Sequence, residues 1–150
     1  MKQVMHLACL AVFIIFFVSC KKQKAQNTST SIIGSWELRQ TSAAMNPVVN
    51  NYSEGNGNII KFSETNYEMY ENGQLKKSGP YSVLEDTTVE ETVCLVFPDG
   101  QFTNRIIYDN DYNASKIFLE ISGNKLSFVS GCYAVDAGHR SEYERELNDR

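Results

Sequence analysis

Few residues of this 150-residue chain are of types that do chemistry, and that scarcity narrows the choices. Of the two histidines, only His139 lies beyond the apolar start of the chain. A histidine-built metal cluster is therefore out of reach, and a serine–histidine–carboxylate relay would have to run through that one ring. No Gly-x-Ser-x-Gly turn accompanies it, and between Gly138 and Arg140 it reads as a loop histidine. The 18 acidic residues are spread along the chain, and none of their spacings singles out the carboxylate pair that glycoside hydrolysis needs. Cys94 and Cys132 lack zinc-ligand spacing. They are expected either to form a disulfide, which an oxidising compartment favours, or to pack as inert buried thiols. The expectation is a non-enzymatic protein with no metal and no cofactor.

The one cysteine with a chemistry written into its surroundings is Cys20. Residues 7–18 form a nearly unbroken apolar run behind Met1-Lys2. As a helix that run spans about 18 Å, too short to cross a bilayer and suited to the core of a signal peptide. It ends in Phe17-Val18-Ser19-Cys20, which resembles the lipobox of bacterial lipoproteins. There a small residue before the cysteine fits the signal peptidase, the thiol takes the lipid, and the freed amine is acylated. Residues 1–19 are expected to be the signal peptide. Residues 20–31 then carry the lipidated Cys20 and a tether of Lys, Gln, Ser and Thr that is too polar to order itself. Its lysines can rest against anionic head groups, at about 1 kcal/mol each, and its basic character points to an outer-membrane anchor facing the periplasm rather than the cell surface.

Removing the leader takes one of the 14 basic residues, Lys2, and none of the 18 acidic ones, so the net charge moves from −4 to −5. No basic cluster remains that would suit nucleic acid, which is excluded as a partner. The partners left are the membrane, through the anchor, a small hydrophobic ligand, or another envelope protein.

The elements that must position these residues are strands. Alternation of apolar and polar residues dominates beyond residue 32, and helical periodicity is nearly absent. Strands are predicted over 34–43, 59–63, 66–71, 74–83, 92–97, 102–108, 116–122, 125–130 and 140–147. The run Thr-Val-Cys-Leu-Val-Phe at 92–97 is continuously apolar and reads as a strand buried on both sides. Asn72-Gly73 and Gly123-Asn124 are hairpin turns, Pro98-Asp99-Gly100 is a turn, and 44–58 is a long loop. Residues 32–150 are thus expected to form one all-β domain. An eight-stranded up-and-down antiparallel barrel, or a nine-strand meander, is the economical arrangement because closure removes free edges. An open β-sandwich is the competing one. Trp36, Phe62, Tyr67, Tyr81, Tyr108, Phe118 and Phe128 fall on these strands. Inward aromatics of a barrel this size either fill it or line a pocket for one small apolar ligand.

Gly34-Ser35-Trp36-Glu37-Leu38 resembles the first strand of the lipocalin-like domains carried by bacterial lipoproteins, and the order of the later segments is similar to theirs as well. Ile60-Lys61-Phe62-Ser63, Asn66-Tyr67-Glu68, Asn72-Gly73 and the stretch from Ser78 to Val83 match in sequence along the chain. Asn124-Lys125-Leu126-Ser127-Phe128 and Tyr143-Glu144-Arg145 resemble that family's closing hairpin and its last strand. The resemblance implies a lipocalin-like barrel. It also implies a cation–π contact at the barrel base between Trp36 and an arginine of the last strand, Arg145 or alternatively Arg140.

Overall fold

The computed structural model describes residues 31–45 and 48–146. The expected signal peptide, Cys20, the tether up to residue 30, the Asn46-Pro47 turn and Leu147 lie outside the described residues. The described chain runs β1 (Gly34–Ala43), β2 (Asn50–Asn51), β3 (Ile59–Phe62), β4 (Asn66–Glu71), β5 (Gln74–Glu85), α1 (Val89–Val93), β6 (Asn104–Tyr108), β7 (Ile117–Ser122), β8 (Lys125–Ser130), a 3₁₀ turn (Tyr133–Val135) and β9 (His139–Arg145).

All the pairings are antiparallel, and consecutive strands pair from β3 through β9. The first strand holds both β3, with Trp36 opposite Ile60, and β9, from Trp36 opposite Arg145 to Ala43 opposite His139. The result is a closed eight-strand up-and-down barrel. The two-residue β2 adds a short extra strand along β1, at Gln40–Asn51 and Thr41–Asn50. Asn72 and Gly73 both take positive φ (50° and 77°), the conformation that joins β4 to β5 in two residues. A bulge at Arg39 lets Leu38 face Tyr143 while Gln40 faces Glu142.

Strand alternation sorts the apolar residues into two cores. Trp36, Ile60, Phe62, Tyr67, Ile106, Leu119, Leu126 and Phe128 point inward and pack together. Phe118 and Val129 alternate with Leu119 and Phe128, so they point out of the barrel. There they meet Val89, Val93 and Phe102 in a second core. The covering residues belong to the connection 86–103, which leaves β5, crosses the outer face of β7 and β8 as a strap, and returns to β6. Two readings are corrected here. Residues 92–97 are not a strand: they are the end of α1 and an irregular segment. Val89 and Val93, four residues apart, share the buried face of one helical turn, and Glu90-Glu91 sit in its first turn, where acids suit the helix dipole. Phe118 is not a lining residue of the barrel interior: its parity puts it under the strap.

The strap is held at both ends. At its tip a disulfide joins Cys94, in the left-handed conformation that ends α1, to Cys132 in the β8–β9 loop, with Cα atoms 5.1 Å apart. At its neck the Asp86 N–H donates to the Thr103 carbonyl (2.8 Å), and the Asp86 carboxylate faces Lys116 at 2.9 Å and Arg105 at 3.5 Å. The Thr88 hydroxyl and N–H also donate to Asp86 (2.6 and 3.0 Å). Burial pushes this carboxyl up, but the Thr88 and Lys116 contacts outweigh it and hold it at about 2, against an ordinary 3.8.

A carboxyl with a depressed pKa adds stability above its ordinary value and loses that contribution as the pH falls towards the depressed one. Asp86→Asn is therefore expected to cost about 2 kcal/mol near neutral pH. Urea unfolding as a function of pH should show the variant and the parent converging as the pH approaches about 2.

Candidate functional site

Because successive strands run in opposite directions, the connections alternate between two ends of the barrel. The base holds Ser31–Ile33, the turn after β3, the neck of the strap and the β7–β8 hairpin. The loop end gathers residues 44–58, the Asn72-Gly73 turn, residues 109–116 and the β8–β9 loop.

At the base, Trp36 is fully buried and its indole N–H donates to the Ile32 carbonyl (2.7 Å). The Arg145 guanidinium lies 4.0 Å from the indole centre and donates to the carbonyls of Ile33 (2.7 Å) and Ser31 (2.6 Å). Burial lowers its pKa from the ordinary value, and its Nε is buried without a partner. Gly34 has φ +133°, and a Cβ there would sit 2.6 Å from Arg145 Nη1. Glycine is thus required both by the backbone and by the arginine above it. Arg140 lies elsewhere, on the outer face, 5.8 Å from the Phe102 ring and paired with Glu142 at 2.9 Å.

Above this base the predicted aromatics are brought together, with Phe118 the exception. Phe62 meets Tyr81 edge to face at 4.9 Å, Tyr67 meets Tyr108 at 4.6 Å, and Phe128 meets Tyr143 at 5.8 Å. The fully buried Tyr67 donates its hydroxyl to Asp109 (3.0 Å), which also pairs with Lys77 at 2.8 Å. Burial pushes the Tyr108 phenol far up from its ordinary value. These rings act chiefly as filling. Among the described residues, one cavity at each end of the barrel is lined by none of the predicted aromatics, while Tyr108 lines a third, of about 260 Å³, together with Lys77, Ile106 and Asp109.

The cavity at the loop end measures about 340 Å³. Its apolar surface comes from Leu38, Ile59, Ile60, Met69 and Tyr143, and its rim from Tyr52, Asn58, Tyr70, Glu71 and Asn72. The base cavity, about 390 Å³, lies among Ile32, Val83, Phe102, Leu119 and Ile121, with polar groups of Thr103, Asn104 and Glu120.

The rim at the loop end is held by a residue that sequence reasoning passed over. Glu37 is almost fully buried on the outer face of β1. Its carboxylate accepts from the Arg39 guanidinium and from the N–H groups of Gly55 (3.1 Å) and Gly57 (3.3 Å). Burial pushes the carboxyl up, while Arg39, Gly55 and Gly57 together bring it below the usual 4.5. The same loop is stitched to β1 by Leu38 N–H to Asn58 O (2.8 Å), Tyr52 N–H to Arg39 O (2.8 Å) and Asn56 Nδ2 to Leu38 O (2.9 Å). The available signal was an acid in the first strand, of opposite parity to Trp36, followed by a long loop carrying Gly55-Asn56-Gly57.

His139 opens β9 and is exposed rather than lying in a loop. Compared with protein-family models, curated proteins and solved structures, the chain matches none.

The base contact should register as a coupling. Arg145→Ala is expected to cost about 2 kcal/mol, and a double-mutant cycle with Trp36→Phe should return a coupling of about 1 kcal/mol. Gly34→Ala should cost about 1–3 kcal/mol. Chemical denaturation of the purified variants reads all of these; additive Arg145 and Trp36 effects would show that the stacked geometry contributes nothing.

Proposed function

We propose that this chain is a lipid-anchored cell-envelope protein whose lipocalin-like barrel binds a small hydrophobic molecule at its loop end, without catalysis. The observation that carries the reading is the 340 Å³ cavity, in which Leu38, Ile60, Met69 and Tyr143 form an apolar floor beneath a rim with polar groups. Ligand sites are typically concave and mostly apolar, with a few polar groups for orientation, and about 300 Å³ is the lower end of their range. The packed rings below limit the ligand to a small one seated near the surface, in place of a deep pocket lined by Trp36, Phe62 and Tyr67.

The anchor half of the proposal rests on Phe17-Val18-Ser19-Cys20. Ser31, the first described residue, is held at the base by Arg145, the end opposite the loop-end cavity. At about 3.3–3.6 Å per residue, the stretch from Cys20 to Ser31 reaches at most roughly 40 Å. This is compatible with a cavity turned away from the outer membrane and into the periplasm. A second reading is a filled barrel that contacts another envelope protein. It is favoured by the exposed Leu95, Val96 and Val135, which flank the disulfide on the outside of the molecule.

Met69→Glu, which sets a charge in the apolar floor, is expected to weaken binding of an apolar fluorescent probe at least about tenfold, while Val83→Glu in the base cavity leaves it unchanged. Titration of both variants decides the matter; equal affinities in the parent and Met69→Glu would end the ligand reading at this site. Native mass spectrometry of the domain from Lys21 onward should then show a retained small molecule, where an apo mass with a co-purifying protein would favour the second reading. Cys20→Ser should move the protein from the membrane fraction to the soluble one, measured by fractionation and blotting.

A further inference from the structure

We propose that the Cys94–Cys132 bond is an exchange site for a dithiol reductant, and that its reduction unlatches the strap while the barrel stays closed. The bond joins two segments that take no part in closing the barrel. Cys94 follows α1 and Cys132 follows β8, whereas closure runs through the β1–β9 ladder. Besides the apolar packing of Val89, Val93 and Phe102 on the sheet, the strap is held at its ends by two different chemistries: polar contacts of Asp86 and Thr103 at the neck, and the covalent bond at the tip. Between them, α1 has only five residues, far below the length at which a helix is stable alone. Once the tip is free, the neck becomes a hinge.

Access favours one sulfur. Cys94 is exposed, and its chain neighbours Leu95 and Val96 are 41% and 86% exposed, while Cys132 is partly covered. A thiolate of the reductant attacks Cys94 Sγ. The sulfur–sulfur bond breaks, a mixed disulfide forms on Cys94, and Cys132 leaves as a thiolate that takes a proton. The reductant's second thiolate then attacks its own sulfur in that mixed disulfide and releases the Cys94 thiolate, which is protonated in turn. The reductant closes its own disulfide, and its two electrons and two protons end on the two cysteines. Opening of the strap would uncover Phe118 and Val129, which are 0% and 1% exposed with it in place, so the latch controls an apolar patch on the outer sheet face.

The test uses the oxidised full chain, before and after dithiothreitol, read by amide hydrogen exchange. The Thr92 and Cys94 amides, bonded to the Thr88 and Glu90 carbonyls, should exchange about 100-fold faster on reduction. Amides of β1 and β9 should stay within about twofold. Acceleration of the barrel amides together with the strap would overturn the proposal, since the bond would then support the whole fold. No change in either would also overturn it, since packing alone would hold the strap. The Cys94→Ser/Cys132→Ser variant should reproduce the reduced pattern, and the parent under dithiothreitol gives the answer if that variant does not fold. With glutathione, a monothiol, peptide mapping should find the adduct on Cys94; an adduct on Cys132 would overturn the direction of attack.

Discussion

The pairing of β9 with β1 is the interaction on which the molecule depends, and the Trp36–Arg145 stack completes it at the base. Without it the eight strands are an open meander with two free edges and an apolar face open to water. With it, the inward side chains are enclosed and both edges are paired. Arg145 serves closure twice, as a ladder residue opposite Trp36 and as the group that binds the incoming chain at Ser31 and Ile33. That second role ties the start of the described chain to the base.

A closed barrel of eight strands has little room inside, and here aromatic rings occupy it. The two larger cavities described above therefore lie at the ends, where loops take over from the strands. At the loop end the rim has its position because Glu37 draws two glycine N–H groups onto β1. The outer face of the same sheet carries a separate apolar core, so β7 and β8 are buried on both sides over part of their length.

Much of the fold was legible in the sequence because period-two alternation, Asn-Gly turns and a terminal strand with Tyr143 and Arg145 on one face are local signals. The segment 92–97 was not legible. A continuous apolar run looks alike whether it is a strand or a helix end, and only contact with Phe118 and Val129 decides between them. Phe118 was misplaced for a related reason: it alternates with Leu119, and nothing local says that the outer face of the strand is covered. The cavity-lining residues Tyr52 and Met69 escaped because one lies in a loop and the other beside better-buried aromatics. The hold of Glu37 on Gly55 and Gly57 links residues 18 and 20 positions apart, beyond the reach of pattern reading.

The strands that close the barrel stand at opposite ends of the described chain, with Ser35 bonded to Glu146 across 111 residues. Closure is therefore the strand pairing of greatest sequence separation among the described residues, and its loop entropy is met only after the hairpins between have formed. A chain emerging from its N-terminus makes β1 early and must hold it without its second neighbour until β9 appears. During that interval β1 is a free edge, and the barrel closes only once β9, His139–Arg145, has arrived.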